Sequence, residues 1–315
     1  MTRTAPTIII VGSANVDLIV RSERLPNPGE TVVGDDFLTA GGGKGANQAI
    51  AARRLGADVT FVARVGDDGP GRFALDSFKA EGLDLTAVRV DQVAPTGVAL
   101  ILVDQYGQNM IAVASGANSH LSPDDVQLAE PSIARSNVLV VQLEIPLETV
   151  QAALEIAGRH AVVTILNPAP ARQVPDRLLR LVDWLTPNEL EARTLTGVTV
   201  TDAVSAREAG RILLQRGVKN VVITLGSSGA VYLSNGSTET IEPFPVVAID
   251  TVGAGDAFTA ALAVSLARGR SPLEALTHAS AAGALATTTR GAQPSLPGEV
   301  DVSSLVATRT VAAEV

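Results

Sequence analysis

Short runs of β-branched and apolar residues recur along the chain at TIIIVG (7–12), VTFVARVG (59–66), VLVVQL (138–143), VVTILNP (162–168), WLTPN (184–188) and NVVITLG (220–226). Apolar runs this short, bounded by Gly, Pro or Asn, are what strands buried on both faces require. Between many of them lie segments with helical spacing: GANQAIAARRLG (45–56), GPGRFALDSFKAEG (69–82), PLETVQAALEIAGRH (146–160) and DAVSAREAGRILLQRG (202–217). Most close near a glycine, as helices commonly do. The alternation predicts βαβ units and a mainly parallel twisted sheet covered by helices on both faces, a three-layer αβα domain.

Two regions break that rhythm. Residues 16–40 and 96–116 show strand-like runs joined by turns, with no helix between them. They predict hairpins that together build a small second sheet, discontinuous in sequence. A sheet of this size has too little core of its own, so it must lean on the main domain or on another copy of the chain. The expectation is one domain over residues 1–315 with a β lid that also serves as a homodimer contact. No period of 20 to 50 residues repeats, which excludes solenoids and propellers. The C-terminal SSLVATRTVAAEV offers too few anchors for an assignment.

Composition narrows the chemistry. Of 315 residues, 46% are apolar and 18% charged, as in ordinary globular proteins. The net charge of -9 and the lack of a clustered Lys/Arg surface argue against nucleic-acid binding. With no cysteine there is no disulfide framework, thiolate metal site or thiol nucleophile, and His120, His160 and His278 are too scattered for a zinc cluster. Any metal must bind through oxygen. The first residues lack a secretory h-region, and AFTAALAVSLA is about half the length needed to cross a bilayer, so a cytoplasmic protein without a membrane partner is expected.

The stretch IDTVGAGDAF (249–258) predicts a strand ending near Ile249, a Gly-Ala-Gly turn and a helix. Backbone N–H groups at such a helix start can surround an anion, and the helix dipole adds about half a positive charge there. An ordinary Asp N-cap would account for Asp256 equally well. GGGKGAN (41–47) is a second glycine cluster leading into a helix. It is not a Walker A loop, since Leu38 stands five residues before Gly43 and glycine follows Lys44. Nor is VGSANVD a dinucleotide fingerprint, because Ala14 replaces the second glycine. Asn15 and Asp17 follow the first strand, and Glu144 ends the run VLVVQLE, where open α/β sheets bind ligands. Asn188 and Glu191 sit three apart at a helix start and so share a face. VVITLGSSGAVYL (221–233) reads as a strand, a Gly-Ser turn and a second strand.

The string Asp250-Thr251-Val252-Gly253-Ala254-Gly255-Asp256 resembles the C-terminal signature of the ribokinase-like, or PfkB-type, carbohydrate kinases. Gly42-Gly43-Lys44-Gly45-Ala46-Asn47 resembles the family's other signature, in the right order and spacing, and the resemblance runs from Gly12 to about Ser295. It implies the ribokinase-like fold and an ATP- and Mg²⁺-dependent small-sugar kinase. Ribose, phosphorylated at O5, is the leading substrate; deoxyribose, fructose and adenosine are the alternatives.

Residue by residue, the resemblance makes Asp256 the base and the turn Gly253, Ala254, Gly255 and Asp256 the anion hole. Asn15, Asp17, Gly43, Lys44, Asn47 and Glu144 become sugar contacts. Thr224, Leu225, Gly226, Ser227, Ser228 and Gly229, with Asn188, Gly255 and Ser280, face the nucleotide; Asn188 and Glu191 position Mg²⁺ and its waters. Asp250, Val252, Ala286, Thr289, Gly291 and Ser295 supply oxygens to a monovalent cation such as K⁺. Two positions depart from the family pattern: Ser280 stands where a larger His or Asn lies beside adenine, and Gly41 makes a triple glycine. A non-catalytic sensor on the same scaffold is a rival reading, because fold alone does not establish activity. A nicotinamide dehydrogenase is disfavoured by the missing fingerprint.

Overall fold

The computed structural model describes residues 5–313. In chain order the first seven strands are β1 (Thr7–Val11), β2 (Asn15–Arg21), β3 (Asp36–Gly42), β4 (Asp58–Gly66), β5 (Val88–Asp91), β6 (Gly97–Val103) and β7 (Asn109–Ala114). Then follow β8 (Val138–Val141), β9 (Val163–Leu166), β10 (Trp184–Leu185), β11 (Asn220–Thr224), β12 (Ala230–Ser234) and β13 (Thr238–Ile241). The helices are α1 (Lys44–Arg54), α2 (Gly69–Ala80), α3 (Pro123–Leu128), α4 (Glu130–Ile133), α5 (Leu147–Arg159), α6 (Asp176–Leu179), α7 (Glu189–Thr196) and α8 (Ala203–Gln215). The last four are α9 (Ala254–Ala267), α10 (Pro272–Ala286), α11 (Ala292–Ser295) and α12 (Glu299–Ala313).

Among the described residues nine strands form one sheet in the order β13-β12-β11-β10-β9-β8-β1-β4-β5, parallel from β11 to β5 and antiparallel only at β12 and β13. The pleat of β1 explains its central place: Ile8 and Ile10 enter one helical layer, Ile9 and Val11 the other. The first layer is built by α1, α2, α9, α10 and α12, and Phe61 meets Phe78 there edge to face at 5.4 Å. The opposite layer takes α3 through α8. Each buried Val or Ile is worth about 2 kcal/mol, so β1 has no stable position at an edge. This is the mainly parallel sheet covered by helices on both faces that the alternation predicts.

The second sheet has four strands in the order β3-β2-β6-β7. β2 and β3 pair antiparallel, as do β6 and β7, and the two insertions are joined by a parallel pairing of β2 with β6. Its connections to the large sheet are pinned by charge. Arg64 bridges Asp91 at 3.0 Å and Asp125 at 2.8 Å, and His120 contacts Asp91 at 3.0 Å. Gly41 lies inside β3 opposite Val16, with the Gln293 side chain against it, so the first two of the three glycines are strand and only Gly43 lies beyond it.

Three local readings need correction. No strand leads into Ile249; residues 242–250 are irregular because Pro243 and Pro245 remove two ladder donors. The predicted strand through Glu144 stops at Val141, and Glu144 lies in the bend that follows. β5 and β13 were invisible as apolar runs because both are short edge strands with mostly exposed or half-buried residues. The unassigned C-terminal segment is α12, whose Val302 is buried. Its Arg309 guanidinium lies 3.6 Å from the centre of the Phe244 ring. Among the described residues no helix is long and apolar enough to cross a membrane.

From β1 the chain proceeds to α1 on one face of the sheet, and from β8 to α5 on the other. The strand order reverses between β1 and β8. Such a switch point opens a crevice outside the carboxyl ends of the strands, and here Asn15 and Glu144 flank it.

Candidate active site

A cleft of about 420 Å³ occupies that crevice. Residues from both glycine motifs line it, 200 positions apart in sequence: Gly43, Lys44 and Asn47 on one side, Val252, Gly253, Gly255 and Asp256 on the other. Asn15, Asp17 and Glu144 complete the polar wall, while Ala99, Ile101, Ile111 and Val113 of the small sheet form an apolar one.

The N-cap of α1 is Gly43, at φ 87°. A Cβ there would lie 2.8 Å from the Asn15 amide, so the two polypeptide segments approach this closely only with glycine. The first amide of the helix, Lys44 N–H, donates to Glu144 Oε2 at 3.0 Å, and Ser13 Oγ donates to the same oxygen at 2.5 Å. Asn118 braces the loop after β1: it accepts from Ala14 N–H at 2.8 Å and donates to Asn15 Oδ1 at 2.7 Å.

Asp256 does not cap its helix. The N-cap of α9 is Gly253 in the left-handed region, and Asp256 lies in the first turn beyond it. Its carboxylate is instead held by α1: Asn47 Nδ2 donates to Oδ2 and Gln48 Nε2 to Oδ1, each at 2.9 Å. The amides of the first helical turn have no partner within the helix, which leaves Gly255 and Asp256 N–H available to an anion. Ala254 N–H turns back to Thr251 O at 3.3 Å, and Ala254 does not line the cleft.

Burial raises the Asp256 pKa, against the pull of the Lys44 charge and the two amide donors. Burial alone would lower Lys44, but Asp256, Glu144 and Glu191 outweigh it and hold the ammonium above its ordinary value. Asp17 is pushed up to about 6, by burial first and then by the Glu144 charge. One ammonium among four carboxylates suits a polyol, whose hydroxyls donate to the acids, and leaves phosphates to the glycine-turn amides.

Asn188 and Glu191 both reach the cleft wall, but they also form the capping box of α7. Asn188 N–H donates to Glu191 Oε2 at 2.9 Å, and Glu191 N–H to Asn188 Oδ1 at 2.9 Å. Burial raises the Glu191 pKa, so a cation nearby would relieve it. With their oxygens engaged in the cap, the pair fits an ion held through water better than one bound directly. Among the described residues no three His, Asp or Glu side chains are grouped to ligate a metal.

For the monovalent-cation candidates, Asp250 accepts from Val252 N–H at 3.0 Å and from Gly291 N–H at 2.9 Å, which brings those three together. Ser295 Oγ donates to Ala292 O. Ala286 precedes and Thr289 lies two residues beyond Thr287, whose carbonyl takes the Ile249 and Asp250 amides. The donor set is all oxygen, as a monovalent cation requires. Of the nucleotide-loop candidates only Thr224 lines the cleft; Gly226–Ser228 form a short 3-10 turn, with Leu225 and Gly229 at its ends, outside it. Ser280 is half-buried on α10, also outside the cleft wall.

Sequence reasoning missed Ser13, Gln48, Asn118, Gln142, Asn167 and Thr186, which hold the named residues in place. Gln142 and Asn167 carry a detectable signal, a polar residue immediately after an apolar strand run. Asn118 lies in a polar turn and carries none.

The chain matches the pfkB family carbohydrate kinase over residues 5–299. It is 43% identical to the ribokinase of Haemophilus influenzae across 92% of this chain and 95% of that protein. It is 35% identical to a deoxyribokinase of Salmonella typhi across 92% and 95%. Among solved structures, Arabidopsis thaliana ribokinase complexed with ribose and ATP superimposes with a TM-score of 0.89 at 34% identity, covering 96% of this chain and 99% of that one. A cleft at the switch point, walled by both glycine motifs and matched along nearly the whole chain, places this protein in the pfkB family of carbohydrate kinases, as a phosphotransferase acting on a hydroxyl group.

Proposed function

We propose that the protein transfers the γ-phosphoryl group of ATP to O5 of D-ribose, releasing ADP and ribose 5-phosphate. The observation that carries this reading is the buried Asp256 carboxylate, held by both oxygens in the same cleft as Asn15, Asp17 and Glu144. Similarity to ribokinases at about two-fifths identity supports it.

In this reading Asn15, Asp17, Gly43, Lys44, Asn47 and Glu144 hold the sugar hydroxyls and present the hydroxymethyl group to Asp256. Asp256 takes the proton as O5 bonds to phosphorus and the bond to the ADP oxygen breaks. Gly253, Gly255 and Asp256 amides, with Lys44, offset the charge on the transferred group. Asn188 and Glu191 would hold Mg²⁺ through water, and the ion when bound would neutralise charge at the phosphates. A monovalent cation held by Asp250, Val252, Ala286, Thr289, Gly291 and Ser295 would stiffen the turn before α9. The turn at Thr224, Leu225, Gly226, Ser227, Ser228 and Gly229, with Ser280, borders the nucleotide. The small sheet acts as a lid, its Ile101 and Val113 excluding water, and exposed Phe37, Leu100 and Met110 make it the contact of a homodimer.

The cleft contains neither Trp nor Tyr, and Trp184 and Tyr232 stack on each other in the core; Phe258 is the aromatic residue on its wall. ADP release measured over a panel of ribose, deoxyribose, fructose and adenosine tests the substrate, with and without Mg²⁺ and K⁺. Ribose is expected to give the highest kcat/KM. Asp256→Asn should lower kcat by about 10²- to 10⁴-fold with ribose still bound; turnover within a few-fold of the parent would remove the base assignment.

A further inference from the structure

Behind Asp256 lies a chain of buried amides, of which Asn167 reaches the cleft wall while Gln48 and Gln142 do not. Gln142 Nε2 donates to Gln48 Oε1 at 2.5 Å; Gln48 Nε2 donates to Asp256 Oδ1 at 2.9 Å and to Asn167 Oδ1 at 3.2 Å. Asn167 Nδ2 in turn donates to the Thr186 carbonyl at 3.2 Å. Gln48 and Gln142 are fully buried.

A backbone carbonyl can only accept, so Thr186 O sets the direction of the whole chain. Asn167 must turn its NH₂ to Thr186 and its oxygen to Gln48. Gln48 must then aim its NH₂ at Asp256 and its oxygen at Gln142. From these directions, and resting on the reading of Asp256 as the base, we infer that Gln48 is a positioning residue for that base and that Gln142 fixes which end of the Gln48 amide faces it. Asn47 and Gln48, adjacent on α1, hold one carboxylate oxygen each and prevent the carboxylate from rotating. Each oxygen keeps a free lone pair for the attacking hydroxyl. The charged groups that act on Asp256 besides these amides are Lys44, Glu144 and Glu191. Both amides favour the ionised form, so losing one moves Asp256 further in the direction burial already pushes it.

The test is steady-state kinetics of Gln48→Met and Gln142→Glu as a function of pH, beside thermal melts and Asp256→Asn. Gln48→Met is expected to lower kcat by about 10- to 100-fold, to leave the KM for ribose within about two-fold, and to move the acid limb of kcat to higher pH. A Glu at position 142, while ionised, invites the Gln48 NH₂ toward itself and turns the Gln48 oxygen onto Asp256. Gln142→Glu should therefore shift the same limb in the same direction without touching Asp256. Gln142→Met, which only releases the Gln48 amide, substitutes for it if the buried acid impairs folding and should shift the limb less far. If Asp256→Asn abolishes turnover while the folded Gln48 and Gln142 variants keep the parental kcat and pH profile, the positioning role is wrong and the base stands. If Asp256→Asn retains turnover, both fall together. A lowered melting temperature with an unmoved acid limb would reduce Gln48 to a packing residue and overturn the inference.

Discussion

Asp17 holds its proton up to about pH 6, against 3.8 for the free side chain, because it is buried and because Glu144 faces it. A folded-state pKa above the unfolded one means that protonation favours the native chain. Stability from this group is complete below pH 3.8 and is lost as pH rises through about 6. The proposed sugar contact has the opposite demand, since an ionised Asp17 would be the better acceptor for sugar hydroxyls. Ribose affinity, followed by calorimetry, should weaken as pH falls from 7 to 5, and Asp17→Asn should bind weakly but without that slope. Glu144→Gln removes the neighbouring charge and should move the midpoint to lower pH. At this scale the sequence nominated the acidic candidates but not the side chains that hold them. Asp256 could be read as a helix cap or as a base from its position alone; only the donors Asn47 and Gln48, some 200 residues away, show that its side chain is turned from its own helix.

The element on which the proposed chemistry depends is the N-terminus of α9, and its geometry rests on Gly253 at φ 83°, whose missing Cβ faces Ala292 at 3.2 Å. Gly253→Ala would force a side chain into the left-handed region at about 1–2 kcal/mol, with a crowded neighbour besides. Thermal unfolding should show a modest drop in Tm, and kinetics a fall in kcat larger than any change in the KM for ribose, because the proposed reaction assigns the turn amides to the transferred phosphate. Apolar periodicity located the interior strands and the helices α1, α2, α5 and α8, since burial on both faces leaves a continuous run and one-sided burial a stripe, but it left α10 and α12 unassigned. It failed at β5 and β13, where edge strands bury little, and before Asp256, where two prolines forbid the strand that β-branched residues suggested.

Across the whole molecule, a few ionic contacts tie together the segments of the main domain that flank the β6–β7 insertion. Arg64 is shared by Asp91 and Asp125, both buried, and the arginine and backbone amides hold Asp91 well below the usual carboxylate range. Removing Arg64 strands two buried acids, so Arg64→Leu should cost about 3–5 kcal/mol in denaturant unfolding. It should also raise the KM for ribose by loosening the lid. On the outer surface, Leu100→Glu with Met110→Glu should convert the proposed dimer to a monomer in sedimentation velocity while the melting temperature stays near that of the parent. The alternation of strands and helices, the two glycine turns and the acidic candidates were determined by the sequence itself, because propensity, periodicity and backbone freedom are local properties of a chain. Which strands are neighbours, where the strand order reverses, and that Lys44, Glu144, Glu191 and Asp256 share one field were decided only by tertiary structure, because burial and Coulomb interactions depend on distance in space and not on separation along the chain.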